Sequence, residues 1–122
     1  MTAEFNLPWP PSVNHYYRHA GSKHFISPDG KRYREKVIAM FRNNPHPVFK
    51  GEIALYAEFH PPDLKRRDLD NLLKCTQDSL QHAGLYADDS QISQINILRK
   101  EPKRPDGQVY VRLEDYHDET RK

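Results

Sequence analysis

The 122-residue chain, with 36% hydrophobic and 30% charged side chains and a formal net charge of +2, is long enough for one modest core and too short for two. No stretch approaches the roughly 18 consecutive apolar residues of a membrane span, and Met1 to Pro11 lacks the basic-then-apolar layout of a secretion signal; a cytoplasmic protein with no membrane partner is expected. The single cysteine, Cys75, excludes an internal disulfide and has no Cys or His neighbours at zinc spacing, so a reduced, half-buried side chain is expected.

In chain order, Phe5 to Trp9 reads as a short strand stopped by Pro8, Pro10 and Pro11, because proline donates no hydrogen bond to a ladder. Ser12 to His24 has no apolar period and is predicted to be a loop. Ser27, Pro28 and Asp29 announce a helix, with a capping hydroxyl and a proline in the first turn. Tyr33, Val37, Met40 and Phe41 share its apolar face, and Asn43, Asn44, Pro45 and Pro47 end it. Ile53, Leu55, Ala57 and Phe59 then alternate with more polar neighbours, the period of a strand with one buried side.

Leu69, Leu72, Leu73, Thr76, Leu80 and Ala83 repeat at helical spacing. They predict a second helix from about Asp70 to Ala83, with Gly84 at the left-handed C-terminal cap. Ile95 and Ile97 in one strand, and Val109, Val111 and Leu113 in another, flank a turn around Pro105 to Gly107 and predict a hairpin. The order strand, helix, strand, helix, strand, strand implies an α+β fold: one domain over 1–122, a mixed sheet with both helices packed on it, and a charged tail at 115–122.

Charge is unevenly placed. Met1 to Lys50 holds eight Lys and Arg against Glu4, Asp29 and Glu35, a balance of +5, which suits an anionic partner. Further basic clusters stand at Lys65, Arg66 and Arg67 and at Arg99 to Arg104, whereas Glu114 to Glu119 is acidic. Such runs are also what an ordinary solvated face looks like.

Asp68, Asp70, Lys74 and Asp89 are the candidate catalytic residues. Lys74 follows Asp70 by four positions, one helical turn along the same face. Crowded carboxylates repel unless a cation neutralises them, and a hard divalent ion takes oxygen ligands; Arg66 and Arg67 would set phosphate-binding cations beside that site. The plain alternative is that Asp68 or Asp70 caps the helix, that Asp88 and Asp89 form a solvated turn, and that Asp70 and Lys74 make an ion pair worth about 0.2–0.5 kcal/mol.

Leu7-Pro8-Trp9-Pro10-Pro11-Ser12-Val13-Asn14-His15-Tyr16-Tyr17-Arg18, followed by Arg66-Arg67-Asp68-Leu69-Asp70-Asn71-Leu72 with Lys74 and then Asp88-Asp89, closely resembles the RusA family of Holliday junction resolvases. The likeness takes in Ser27, Gly30, Tyr33 and Arg34 and extends to about Leu113. It implies a homodimeric, Mg²⁺-dependent endonuclease, with Mn²⁺ as a substitute ion, no organic cofactor, and four-way junction DNA as partner. Two opposed strands would be nicked to leave ligatable ends, in recombination and repair in a bacterial or phage-infected cytosol.

On the matching positions the resemblance makes Asp68, Asp70 and Asp89 the metal-binding carboxylates and Lys74 the catalytic lysine, with Asp88 beside them in a turn or supporting role. Asn14, Tyr17, Arg18, Lys23, Lys65, Arg66 and Arg67 are the candidate DNA contacts. The loop around Ala20 to His24 and the acidic tail depart from the family pattern. Two other classes compete: a junction-binding protein that cuts nothing, and a metal-dependent nuclease for flaps or forks. Tyr16 and Tyr17 are equally read as base-stacking or as packed on their own domain, Trp9 as a core or dimer anchor, and the pair His15 and His19 as lacking the partners zinc needs.

Overall fold

The structure is a computed structural model that describes residues 1–12, 16–20 and 23–118. Four strands form its main sheet: β1 (Thr2–Leu7), β4 (Ile53–His60), β5 (Ile92–Arg99) and β6 (Gln108–Asp115). A separate two-stranded sheet pairs β2 (Tyr17–Ala20) with β3 (Lys23–Ile26). Helix α1 spans Pro28–Arg42, helix α2 spans Asp70–His82, and a 3-10 turn at Asp89–Gln91 leads into β5. Among the described residues no helix is long and apolar enough to cross a membrane.

The main sheet has the order β1-β6-β4-β5. β4 pairs in parallel with β5 and antiparallel with β6, and β1 pairs antiparallel with β6, so the sheet is mixed and the α+β reading holds. The alternation along β4 comes out as expected, with Ile53, Leu55, Ala57 and Phe59 all at or below 1% exposure. They meet Val109, Val111 and Leu113 of β6, Leu7 of β1, and Tyr33, Val37, Leu72, Cys75 and Leu80 of the helices in one core. That apolar area removed from water is the main force holding sheet and helices together.

Helix α1 begins as its sequence predicts. Ser27 Oγ accepts the Gly30 N–H at 2.9 Å, and Pro28 stands in the first turn. Gly30 is required by close approach, because a Cβ there would lie 2.4 Å from the Tyr16 carbonyl oxygen. At the far end of α2, Gly84 takes φ +91°, the left-handed value that suits a residue without Cβ.

Several expectations are corrected. β5 and β6 do not form a hairpin, since β4 lies between them. The turn chemistry of Pro105 to Gly107 reports a local reversal, whereas partner choice is set by β4, which is hydrogen-bonded on both edges. The first strand is Thr2–Leu7 rather than Phe5 to Trp9, because its register follows β6, from Thr2 opposite Glu114 to Leu7 opposite Val109. Part of the expected loop Ser12 to His24 belongs instead to the β2–β3 ladder, which Tyr17 and Ile26 anchor on the core. Its sequence carries no apolar alternation, the period by which a strand is read.

Cys75 is fully buried rather than half-buried. Asp115 ends β6 and accepts a hydrogen bond from the Met1 ammonium at 2.8 Å, so it is part of the sheet and not of a tail.

Candidate active site

The chain between β4 and α2 is shaped by one ion pair. The Asp63 carboxylate accepts Arg67 Nη1 at 2.7 Å, Arg67 Nη2 at 3.2 Å and the Lys65 N–H at 2.9 Å. The Arg67 guanidinium first, and the Lys65 N–H second, hold the Asp63 carboxyl down at about 2. The same guanidinium lies 5.6 Å from the centroid of the Trp9 ring, and the Arg67 carbonyl oxygen accepts from Arg99. Arg67 is thereby engaged in holding its own loop. Arg66 is exposed and, among the described residues, has no ion-pair or hydrogen-bond partner.

Asp68 and Asp70 stand on either side of Leu69, the cap residue of α2, and both are exposed. Leu69 has helical φ −62° and ψ −38°, and its carbonyl already accepts from Leu72 and Leu73, so the helix starts with no side-chain cap. Neither aspartate is therefore a capping residue. Lys74 is exposed and makes no ion pair within 4.0 Å with Asp70. The bland roles the sequence allowed for Asp68, Asp70 and Lys74 are all unfilled. Asp70 in the first turn does gain from the positive end of the helix dipole.

Asp88 and Asp89 divide their work. Asp88 caps the 3-10 turn: its side chain accepts from Ser90, while Gln91 Oε1 accepts the Ala87 and Asp88 N–H groups at 2.8 and 3.1 Å. Gln91 Nε2 donates to the Phe49 and Gly51 carbonyls at 3.0 Å each, pinning the turn to the segment before β4. The Ser90 hydrogen bonds lower the Asp88 pKa. Asp89 is half-buried, and its Oδ1 is buried with no hydrogen-bond partner. Burial is the largest influence on its pKa, which is raised; the Tyr86 hydroxyl and the Lys74 charge pull it down, and Asp78 and Asp88 add to the rise.

Asp89 and Lys74 are thus within electrostatic reach of each other. Asp68, Asp70 and Asp89 are not gathered: among the described residues no group of three or more acidic, His or Cys side chains is close enough to hold a metal ion. Of the other candidates, Asn14 lies outside the described residues, as do His15 and the side chains of Arg18, His19 and Lys23. Tyr17 is half-buried and packs edge-on against Tyr16, with ring centroids 4.8 Å apart. Tyr16 itself is fully buried, so the packing alternative is the one realised for it.

A polar cluster behind the site was not anticipated. Arg34 Nη2 donates to Asp78 Oδ2 at 2.7 Å, the Tyr16 hydroxyl donates to the same oxygen, and Arg34 Nε donates to the Tyr16 oxygen at 3.3 Å. The His82 ring stands 3.6 Å from Asp78 Oδ1. Burial and then the Asp78 hydrogen bond drive the Tyr16 pKa above its ordinary value. The available signal was the four-residue spacing of Asp70, Lys74, Asp78 and His82, a charged stripe along α2.

Comparison with known proteins gives this surface its context. The family model described as endodeoxyribonuclease RusA matches residues 8–114, which include every candidate acidic residue and Lys74. A mixed-sheet α+β domain with free carboxylates and a free arginine at one helix start is, on that match, a DNA-cleaving enzyme. The chain belongs to the endodeoxyribonuclease RusA family.

Among similar relatives, the crossover junction endodeoxyribonuclease of Enterobacteria phage HK97 is 40% identical over 111 residues, covering 90% of this chain and 92% of its own length. The protein of that name from Shigella sonnei is 38% identical over 99 residues, and that of Escherichia coli K12 is 37% identical over 99; in each pairing 80% of this chain and 82% of the relative are covered.

Proposed function

We propose that the chain is a Mg²⁺-dependent, structure-selective endonuclease that resolves four-way DNA junctions by paired symmetric nicks, acting in the cytosol as a homodimer. The observation that carries this reading is the Asp89 carboxylate, with one oxygen buried and lacking a donor. A buried carboxylate oxygen left unsatisfied costs free energy, and a cation is the partner that such an oxygen accepts best. The Asp89 oxygen is the group that would meet such an ion, and Asp68 and Asp70, which the fold leaves apart from it, would have to draw in to complete an all-oxygen set suited to a hard divalent ion such as Mg²⁺ or Mn²⁺. When bound, such an ion supplies Lewis acidity toward a phosphate oxygen and lowers the pKa of a water in its shell.

The chain's own residues supply the rest. Arg66, without a partner among the described residues, meets a DNA phosphate, and Lys65 extends the same basic edge. Lys74, in electrostatic reach of Asp89, supplies positive charge for the phosphoryl oxygens or orients the attacking water. Asp88 keeps the Asp89 turn rigid through its capping box with Gln91. Two cuts on a two-fold junction call for two sites related by two-fold symmetry, which a homodimer provides.

The deciding experiment incubates the protein with a synthetic four-way junction, linear duplex, flaps and forks, with Mg²⁺ and with EDTA. Ligatable nicked duplexes from the junction alone, in Mg²⁺ alone, are the expected result. A shifted but uncut junction would replace this reading with that of a binding protein, and preferential cutting of flaps or forks would move the substrate class.

A further inference from the structure

Beside Asp68 the surface opens into a groove of about 830 Å³ whose lining includes Trp9, Pro10, Arg66, Asp68, Asn71 and Leu72. Its volume falls within the roughly 300–1,000 Å³ of sites that take one small organic group, and is too small for a stacked duplex. The lining combines two chemistries. Trp9 and Pro11 offer apolar surface over the buried Pro10 and Leu72; Arg66 offers a guanidinium and Asn71 an amide.

The Trp9 ring is held in place from more than one side. It meets Phe59 edge-on with centroids 6.0 Å apart, and the Arg67 guanidinium, itself fixed by Asp63, lies 5.6 Å from its centroid. A ring so fixed presents its remaining surface at little further entropic cost. Asn71 follows Asp68 by three residues, on the same side of the helix start. Among the described residues its amide has no hydrogen-bond partner, and the same is true of Arg66. An amide carries a donor and an acceptor side by side, the arrangement that pairs bidentately with the edge of a nucleobase.

Resting on the nuclease reading above, we propose that this groove takes one unstacked nucleotide next to the scissile phosphate and reads its base. Trp9 provides the stacking surface, Asn71 the hydrogen bonds to the base edge, and Arg66 the contact to an adjoining phosphate. A base–aromatic stack accepts any base and so contributes affinity without choice. The choice resides in Asn71, where a wrong edge leaves donor and acceptor unpaired. The exchange point of a branched DNA is where a base leaves its stack most cheaply, so the groove also couples recognition of branching to cutting. Asn71 is a specificity residue here and Trp9 a binding residue.

Trp9 is the only tryptophan in the chain, so its fluorescence reports directly on the groove. The full-length protein is titrated in EDTA with an intact four-way junction and with junctions made abasic, one at a time, at nucleotides flanking the exchange point. Quenching by the intact junction, reduced at least about twofold by one particular abasic position while gel-measured binding persists, is expected. Equal quenching by every abasic junction, or by linear duplex, overturns the proposal.

In a second arm, wild type, Asn71→Ala and Arg66→Ala cut four junctions in Mg²⁺ that differ only in the base at that position. Asn71→Ala is expected to shrink the ratio of best to worst base by about tenfold. Arg66→Ala is expected to weaken binding of all four alike and lower the salt slope by about one. An unchanged base ratio in Asn71→Ala overturns the assignment of Asn71. If wild type binds and cuts no junction, the nuclease reading fails in this arm, whereas the fluorescence arm judges the groove independently.

Discussion

Tyr86 and Asp89 are neighbours whose hydrogen bonding is mismatched. The Tyr86 hydroxyl donates its one proton to the Gln77 carbonyl at 2.6 Å, and Oδ1 of the adjacent Asp89 carboxylate is left buried without a donor. A buried carboxylate oxygen without a geometric hydrogen bond is a place where a positive ligand is favoured.

Asp89→Asn is therefore expected to stabilise the cation-free protein at neutral pH, by on the order of 1–3 °C in Tm. The sign follows from the raised Asp89 pKa, whose largest cause is burial. The folded state binds the proton more tightly than the unfolded one, so the ionised carboxylate opposes folding above its folded pKa, and that cost fades as the pH drops through the folded value to the ordinary ~3.9. The gain over wild type should shrink to nothing near that pH in EDTA. Mg²⁺ should raise the Tm of wild type with concentration and leave the variant unmoved.

Asp70→Asn is expected to lower junction nicking by about two orders of magnitude or more while leaving junction binding intact or improved, since a negative charge facing phosphate disappears. Because Asp70 caps nothing and makes no ion pair among the described residues, the Tm of the variant should stay within about 1 °C of wild type. Retained nicking by a well-folded variant would remove Asp70 from the site.

Asp63 should titrate at about 2, read as the midpoint of its side-chain carboxyl carbon shift by NMR. A depressed carboxyl pKa marks an interaction fully present above the ordinary ~3.9 and lost as the pH falls through the folded value. Arg67→Gln should return the midpoint toward the ordinary value. It should also broaden the Trp9 indole resonance, because the guanidinium that lies against that ring goes with it.

Asp78→Ala should cost about 2–3 kcal/mol by urea denaturation, somewhat below the ~3–5 kcal/mol seen when a fully buried pair is broken. The Arg34 and Asp78 side chains are 23% and 16% exposed, and removing the carboxylate strands the guanidinium and the Tyr16 hydroxyl together. Asp78→Asn, which keeps an acceptor in place, should cost less than the alanine variant.

What was legible in the sequence follows the range of the forces involved. The Ser27 cap, the Pro28 start and Gly84 at the end of α2 are local backbone chemistry, and each appears where its residues indicate. The β4 alternation is a period set by one buried face and was equally plain. The β5–β6 hairpin failed because turn residues specify a reversal and not a partner. The β2–β3 ladder was missed because its side chains carry no apolar rhythm.

For the site, the amino-acid sequence by itself determined which groups are present and the family they belong to: Asp68, Asp70, Lys74 and Asp89 at their spacings, with Arg66 and Arg67 ahead of them. Only the tertiary structure decided their employment. It engages Arg67 with Asp63 and Trp9, leaves Arg66 exposed with no partner among the described residues, assigns Asp88 to capping, and buries one oxygen of Asp89 without a donor. The reason is that chemistry is a property of a side chain, whereas burial and pairing are properties of what the rest of the chain packs against it.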